Sequence, residues 1–501
     1  MVKRLLSIFI CALLILSAPL SVFADDTQVT TWERVEDERF EQDMAGQKEE
    51  TQVPAAEPGE EKAPLWLRIG LKYGSSAVSS SAVTCDSGFI LADVERYSCE
   101  EAQDLSEYTS LYVECSGGKV FVYDEKDGEE LFELGSGQML MSADPDPDSR
   151  IVTIDGSRYR DGVSYRAYGD NMSVINRVTL EHYVPGVVAN EMGYTYPAEA
   201  LKAQAVTARS YAVCSLGKHG SYGFDLCTGQ NCQVYRGVSS ERQSTTDACR
   251  ATEDMVITYE DKPVSGYYYA YSSGWTLDSQ DVWTSQPGYL LGVKDEYAEE
   301  YLWKASVSFD SLRSRLNAAG YSCGEIQSVS VKKKLDNGAV YTLTVSTDSG
   351  DIDISKSAIT GALSTFGVKS LFFYISGTDY PKNESRPVGS FFALGGVPYE
   401  PEEKVYVVGA DGEAVEVSAS DLFILRGKKA MEAFASGKTS YFDEDAEDGM
   451  LYMTGFGWGH SVGMPQVSAK NMALAGRTYD EILKYYYTGI EIRSLHGESR
   501  I

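Results

Sequence analysis

The feature that most constrains the fold is a change in hydrophobic periodicity near Asp161. Before this residue, apolar and polar residues alternate in short runs separated by Gly, Ser and Asp, which is typical of half-buried strands. These runs lie at 65–71, 87–92, 111–114, 119–123 and 150–154. After Asp161, helical stripes alternate with further strand-like runs. We therefore predict an α+β protein in which a β-rich N-terminal module, 65–161, precedes a mixed α/β domain.

The mixed domain is predicted in two parts, 162–376 and 450–495. The segment 377–449 between them is less regular and contains Pro, Asp and Glu clusters, so we interpret it as an insertion or an accessory lobe. Within the first part, a helix is predicted from Pro197 to about Leu216. Proline suits the first helical position because its missing N–H would have no intrahelical partner there. The buried stripe of this helix is predicted to be Leu201, Ala205, Ala208 and Ala212.

The N-terminus is predicted to direct export. Lys3 and Arg4 precede an apolar run, 5–16, and Val22-Phe23-Ala24 offers small residues where a signal peptidase cuts. We predict a signal peptide at 1–24; the alternative is an uncleaved membrane anchor. The following segment, 25–64, is acidic and polar, which predicts a disordered linker. The protein is therefore expected to act outside the cytoplasm, secreted or associated with the cell wall or the membrane surface.

Charge and motif content argue against two partner classes. The 501 residues carry a formal net charge of -30, so bulk electrostatics oppose binding to nucleic acid. The glycine-rich segment 455–463 lacks the Lys-Ser/Thr ending of a phosphate-binding loop, so no nucleotide is expected.

Two segments resemble the signatures of the stage II sporulation protein D and amidase-enhancer family. The first is 186–212, which reads GVVANEMGYTYPAEALKAQAVTARSYA, and the second is 455–466, which reads GFGWGHSVGMPQ. The ending YDEILKYYYTG at 479–489 and the opening WLRIGL at 66–71 are also similar to this family. The resemblance covers most of the chain from about residue 66, apart from 377–449.

The resemblance implies a peptidoglycan lytic transglycosylase with Glu191 as its single general acid and base. Such an enzyme cleaves the MurNAc–GlcNAc linkage of glycan strands and leaves 1,6-anhydro ends, in cell-wall remodelling that the family name associates with sporulation. A partly desolvated Glu can protonate the glycosidic oxygen and then, once ionised, take the proton of the sugar's C6 hydroxyl. A helix N-terminal acid is the structural alternative for Glu191.

Further residues match positions of the family motifs or, for Ser272 and Ser273, a third and looser block of the family, and are candidates for substrate binding or support. Lys202 and Arg209 are expected on one side of the helix, where they could orient Glu191 or hold substrate groups. Tyr211 and Arg209 each have a structural alternative, in the core or in an ion pair. The candidate set is Lys202, Gln204, Arg209, Tyr211, Ser272, Ser273, Trp458, His460 and Gln466.

The block 225–235 raises the question of a metal. Some members of this family look like zinc binders here, with two Cys and two His. This chain has Cys227 and Cys232, but Asn231 replaces the expected histidine, which leaves His219 as the nearby candidate. Tetrahedral structural zinc takes four N or S ligands. A disulfide between Cys227 and Cys232 is the more economical interpretation, and no cofactor is required for the reaction.

Two other functions stay open. One is a non-catalytic wall-binding protein that activates an N-acetylmuramoyl-L-alanine amidase; other cell-wall hydrolases or amidases are accordingly candidate partners beside the glycan strands. The other is a hydrolase that uses Asp281 as a second carboxylate and produces reducing ends.

Overall fold

The computed structural model describes residues 63–229, 231–376 and 448–496, and the backbone of short strands between 391 and 430. The predicted signal peptide, nearly all of the predicted linker and most of the predicted insertion lie outside the described residues. Strands dominate the N-terminal region and helices join them afterwards, so the α+β prediction is confirmed.

The N-terminal region consists of strands in two sheets. The strands are β1 (Trp66–Lys72), β2 (Ser80–Thr84), β3 (Phe89–Val94), β4 (Cys99–Leu105), β5 (Ser110–Ser116), β6 (Lys119–Asp124), β7 (Glu130–Glu133), β8 (Gln138–Ser142), β9 (Ile151–Ile154), β10 (Ser157–Arg160), β11 (Gly162–Tyr168), β12 (Asn171–Thr179) and the short β13 (Leu226–Cys227). One sheet has the order β13-β1-β12-β11-β8-β3-β4 and the other has the order β10-β9-β2-β5-β6-β7.

Alternation along these strands builds the core between the two sheets. Inward-facing residues such as Phe89, Leu111, Val122 and Leu140 are fully buried there. The larger sheet continues past Asp161, because β1 pairs antiparallel with β12 and β11 pairs with both β12 and β8. The strands 162–179 therefore complete the N-terminal sheet and lead directly into the helical region.

The helices of the mixed region are α1 (Leu180–Glu191), α2 (Ala198–Cys214), α3 (Gln243–Ala251), α4 (Ser279–Val282), α5 (Phe309–Ala318), α6 (Ser357–Leu363), α7 (Gln466–Leu474) and α8 (Tyr479–Tyr486). Turns of 3₁₀ type occupy Gly74–Ser76, Pro147–Ser149, Gly220–Tyr222, Gly237–Ser240 and Ser364–Phe366. The remaining strands are β14 (Met255–Tyr259), β15 (Lys262–Pro263), β16 (Tyr268–Tyr269), β17 (Leu302–Ser308), β18 (Ile326–Lys334), β19 (Val340–Thr347), β20 (Gly350–Ser355), β21 (Phe373–Ile375), β22 (Phe391–Phe392), β23 (Pro398–Tyr399), β24 (Lys404–Val408), β25 (Ala414–Ser418), β26 (Leu425–Arg426), β27 (Lys429–Ala430), β28 (Met450–Phe456), β29 (Met464–Pro465) and β30 (Glu491–Ser494).

Helix α2 is the centre of the mixed region. It begins at Ala198, one residue after the predicted start, with Pro197 as its N-cap, and its alanines, among them Ala205, Ala208 and Ala212, are fully buried. Small side chains permit close approach, and α1, α3, α7, α8 and β14 all pack against this helix. Because α7 and α8 come from the C-terminal part of the chain, α2 brings the two predicted motifs together.

Segments distant in sequence also join by strand pairing. β28 lies between β17 and β21, and β30 pairs with β14. The two-residue strand β16 runs parallel to β29, which places Tyr268 opposite Met464. Among the described residues, no helix is both long enough and apolar enough to span a membrane.

Candidate active site

Glu191 is the last residue of α1, rather than a residue that precedes a helix. The interpretation of Glu191 as a helix N-terminal acid is therefore wrong. The carbonyl end of a helix carries partial negative charge, which disfavours a carboxylate there. Its position at the end of α1 thus opposes ionisation of the side chain, as a proton donor requires.

The carboxyl group of Glu191 is half-buried and held by two donors. The backbone N–H of Val234 donates to its Oε1 at 2.8 Å, and the hydroxyl of Tyr268 forms a second hydrogen bond. Burial raises the pKa of Glu191 above its usual value, and the two hydrogen bonds offset part of this rise. The balance favours the protonated acid more than in a solvent-exposed glutamate.

Gln466 connects the second motif to the first. Its side-chain nitrogen donates to the backbone carbonyl of Glu191 at 2.8 Å and lies 3.3 Å from the Oε1 of Gln204. Gln204 is fully buried on α2, and Gln466 begins α7. Gln466 therefore holds the backbone of Glu191, and Gln204 holds the side chain of Gln466.

Arg209 does not contact Glu191. It is fully buried, and its Nε and Nη2 donate to the two carboxylate oxygens of Glu181 at 2.8 and 2.7 Å. It also donates to the carbonyls of Met255 and Cys249. These contacts correspond to the second interpretation of Arg209, a structural ion pair. Arg209 joins α2 to α1 and β14, and it cannot reach a substrate from this position.

Lys202 and Tyr211 also make contacts within the fold. Lys202 forms an ion pair with Glu199 at 2.7 Å, and Glu199 accepts a hydrogen bond from the N–H of Tyr479 at the start of α8. Tyr211 is buried, and its hydroxyl accepts a hydrogen bond from Lys218 at 3.1 Å. The expectation that two cations of α2 face Glu191 does not agree with these contacts.

The two serines after β16 stabilise loops. Ser272 is buried, and its hydroxyl accepts the N–H of Gly274 at 3.1 Å. Ser273 donates to the carbonyl of Phe456 at 2.8 Å, which joins this loop to the end of β28.

Asp281 lies on the short helix α4, where burial and then Asp278 raise the pKa of its carboxyl.

His460 is oriented by backbone groups on both ring nitrogens. Its Nε2 lies 3.0 Å from the carbonyl of Tyr268, and its Nδ1 accepts the N–H of Val462 at 3.1 Å. A carbonyl can only accept, so these partners select the neutral tautomer with the proton on Nε2. His460 therefore fixes the backbone of Tyr268, whose hydroxyl contacts Glu191.

Trp458 is the exposed aromatic residue of the second motif, with 44% of its surface accessible. Its ring lies 5.6 Å from that of Tyr301 at an angle of 30°, and Tyr301 lies 4.5 Å from Tyr271. The ammonium group of Lys369 lies 5.0 Å from the centre of the Trp458 ring. We name Tyr271, Tyr301 and Trp458 the aromatic platform; such a surface suits the apolar faces of sugar rings.

The structure brings Cys227, Cys232 and His219 together. Their ligand atoms all lie within 4.8 Å of one another, and both cysteines are thiols, so the expected disulfide is not formed. Hydrogen bonding from Cys232 and His219 lowers the pKa of Cys227. Tyr73 also hydrogen-bonds Cys227, and the carbonyl of Asn231 accepts from Lys218. The loop that carries Cys227 and Cys232 leads directly to Val234.

Two contacts of Glu191 escaped the sequence interpretation. Val234 contributes only a backbone N–H, and such a contact cannot be predicted from the residue type. Tyr268 belongs to a run of aromatic residues that also reads as core. Neither residue therefore carries a signal that sequence reasoning could have used.

Comparisons with known proteins find similarity over much of the chain. A family model described as stage II sporulation protein matches residues 168–259, and one described as a domain of unknown function matches 280–396. An uncharacterized protein of Brachyspira hyodysenteriae is 27% identical, over 68% of this chain and 73% of its own length. Stage II sporulation protein D of Bacillus subtilis is 26% identical, over 66% of this chain and 79% of its own.

The amidase enhancer of Bacillus subtilis is 28% identical, over 62% of this chain and 40% of its own length. The matched segment 168–259 contains α1 with Glu191, all of α2, and the loop that carries Val234. The chain therefore carries the stage II sporulation protein domain and is a relative of stage II sporulation protein D and the amidase enhancer.

Proposed function

We propose that this protein is a cell-wall enzyme, a lytic transglycosylase that cleaves peptidoglycan glycan strands with Glu191 as general acid and base. The observation that carries the proposal is the half-buried Glu191 at the carbonyl end of α1, with its pKa raised by burial. The relatives named for sporulation and for amidase enhancement support a role at the cell wall, outside the cytoplasm.

The reaction needs one carboxyl group that changes role. In the first step, protonated Glu191 gives its proton to the glycosidic oxygen as the bond to the leaving sugar breaks. In the second, the carboxylate takes the proton of the C6 hydroxyl of the same MurNAc, whose oxygen bonds to C1 and closes the 1,6-anhydro ring. A positioned acid of this kind contributes about 10²–10⁴-fold in rate.

The neighbouring residues suit these steps. The N–H of Val234 and the hydroxyl of Tyr268 stabilise the carboxylate that exists between the two proton transfers. Gln466 and Gln204 keep the end of α1 in place through the Glu191 carbonyl. The aromatic platform offers exposed ring surface on which the glycan can stack. Such stacking is needed for binding because a chain with net charge -30 has no electrostatic attraction to an anionic wall.

The test is product analysis by mass spectrometry. Purified glycan strands, with and without stem peptides, are incubated with the wild type, Glu191→Gln and the exposed control Glu253→Gln. We expect anhydro-ended fragments from the wild type and the control, and their loss in Glu191→Gln. Fragments with reducing ends would contradict the proposal and direct attention to Asp281.

A second candidate is favoured by the relative named amidase enhancer: a wall-binding protein that activates an amidase. In that case neither glycan substrate would be cleaved, and Glu191→Gln would stimulate a purified N-acetylmuramoyl-L-alanine amidase as well as the wild type does. Loss of stimulation together with loss of cleavage would instead connect both effects to Glu191.

We also propose that His219, Cys227 and Cys232 hold a structural zinc ion. The donor set suits zinc, but it supplies three of the four ligands that a closed structural site uses. A bound ion would hold the loop that positions the N–H of Val234. Metal content of the purified protein tests this: we expect about one zinc per chain, lost in Cys227→Ser and retained in the control Cys99→Ser. If the purified wild type contained no metal and its melting temperature were the same with and without a chelator, the zinc proposal would be contradicted.

A further inference from the structure

A cavity of about 700 Å³ lies in the N-terminal region, and no residue of the candidate active site lines it. Its walls come from β1, β11 and β12 and from the segment that leads into β8. This volume is typical of sites that hold a small ligand. The cavity is therefore large enough for a ligand of several residues or sugars.

The charge of the cavity is opposite to that of the protein. Five cationic side chains line it, against the carboxylates of Glu95 and Glu133. The cationic side chains are Arg68, Arg96, Arg166, Arg177 and Lys119. Because the chain carries a net charge of -30, a concentration of arginines in one concave surface needs a specific reason.

Arg68 and Arg177 stand directly opposite each other on β1 and β12. Like charges in this arrangement destabilise a sheet unless an anion compensates them. The buried anion available is Asp225, whose oxygens accept from the side chains of Arg68 and Arg96 at 2.7 to 3.3 Å and from the N–H of Gly217 at 2.9 Å. A carboxylate has about four acceptor positions, and the backbone N–H of Arg68 also donates to Asp225 at 2.9 Å, so Asp225 has no acceptor left for Arg177 and acts on it through its charge.

Arg177 is the buried cation that remains. Only 6% of its surface is exposed, and its Nη2 donates to the carbonyl of Val94. Its Nε has no hydrogen-bond partner in the part of the chain that the structure describes. Burial, and then the positive charge of Arg68, lower the pKa of Arg177 to about 10. A guanidinium group in this state gains from any anion that enters the cavity.

Trp66 supplies a second unused donor in the same cavity. Its indole is 3% exposed, and its Nε1 also has no acceptor among the described residues. Buried N–H groups without acceptors are rare in native proteins, because each costs the desolvation of a polar group. Both residues line this cavity, where a small side-chain rotation would turn each buried N–H toward an acceptor that a ligand brings.

We propose that this cavity binds a carboxylate-bearing peptide, the stem peptide of peptidoglycan, with Arg177 and Trp66 as donors to a carboxylate. The choice of a stem peptide rests on the proposed cell-wall function. Stem peptides combine several carboxylates with an ammonium group, which the exposed carboxylate of Glu95 complements. A polyphosphate chain would be repelled by Glu95, whereas Glu133 is already paired with Lys119 at 2.7 Å. The apolar wall, which includes Val94 and Leu134, suits the alanine side chains of such a peptide.

The test is calorimetric titration of the full chain with a free stem tetrapeptide, L-Ala-D-Glu-diaminopimelate-D-Ala. The peptide carries no sugar, so binding is independent of the glycan reaction, and Glu191→Gln should bind it with wild-type affinity. Arg177→Gln and Trp66→Phe should each weaken binding roughly ten- to a hundredfold. Arg166→Gln, at an exposed position of the cavity wall, should weaken it less. Arg250→Gln, exposed outside the cavity, is the matched control and should have no effect.

Three results would overturn the assignment. The first is wild-type affinity in Trp66→Phe and Arg166→Gln, which decide the matter even if Arg177→Gln does not fold. The second is equal binding of a tetrapeptide whose carboxyl groups are amidated. The third is binding of a glycerol-phosphate oligomer in place of the peptide, which would make the ligand a phosphate polymer. Peptide binding by a protein that cleaves no glycan would refute the transglycosylase and leave this site in place.

Discussion

The ion pair between Arg209 and Glu181 provides the sharpest separation of structural from catalytic roles. In the structure, Arg209 is fully buried, whereas the side chain of Glu181 is 32% exposed. The two residues share a bidentate contact, with N–O distances of 2.8 and 2.7 Å. Removing one partner of a buried pair costs about 3–5 kcal/mol, because the other charge stays buried without compensation.

The asymmetric exposure predicts unequal costs. Glu181→Met leaves a fully buried cation, whose other acceptors are the carbonyls of Met255 and Cys249, so we expect destabilisation near the full 3–5 kcal/mol. Arg209→Met leaves a carboxylate that water can partly reach, so we expect about 2–3 kcal/mol. In the double variant no unpaired charge remains, and it should be more stable than Glu181→Met.

Urea denaturation of the four proteins forms a double-mutant cycle, with a coupling expected in the range of about 0.5–3 kcal/mol. Glycan cleavage, assayed at urea concentrations below the unfolding transition, measures the effect of each substitution on catalysis separately. We expect the variants that remain folded to keep the wild-type KM. If Arg209→Met had wild-type stability and a raised KM, then Arg209 would hold substrate, and the structural interpretation would be refuted.

The remaining predictions concern Glu191 and the second motif. Because the folded-state pKa of Glu191 is raised, the folded protein holds this proton more tightly than the unfolded chain, and stability falls as pH rises from about 4.5 through the raised value. Glu191→Gln should therefore melt higher than the wild type above this window and equally below it; a constant difference at all pH values would contradict this. Tyr268→Phe removes a hydrogen bond that lowers the pKa of Glu191, so the limb of the pH–rate profile that reports this acid should move to higher pH, and an unmoved limb would exclude the contact. Gly463 has a φ of +73°, and a Cβ there would collide with the carbonyl of Tyr267, whereas Gly476, with a φ of +82°, has open space around it. Gly476→Ala should cost about 1–2 kcal/mol, from the left-handed conformation alone, and Gly463→Ala clearly more; equal melting temperatures would show that the loop adapts.

Much of the fold was predictable because its signals are local. Alternation of apolar residues indicated the N-terminal strands, and Pro197 with its alanine stripe predicted α2 closely. The continuation of the sheet through β11 and β12 was not predictable in this way, because it depends on β1 finding its partner more than 100 residues later. Likewise, α1 was missed because Pro185 lies inside it, and a proline within a run argues against a helix.

The sequence by itself determined the family resemblance, the identity of Glu191 as the candidate acid, and the presence of Gln204 and Gln466 in the two motifs. Only the tertiary structure decided which polar residues face Glu191. Arg209 and Lys202 share a helix with Gln204, but Glu181 on α1 pairs with Arg209, and Glu199 on α2 itself pairs with Lys202. Val234 and Tyr268, which do contact Glu191, come from a loop and a short strand elsewhere in the chain. The physical reason is that a motif records residue types, whereas the partner of each side chain depends on which elements pack against it.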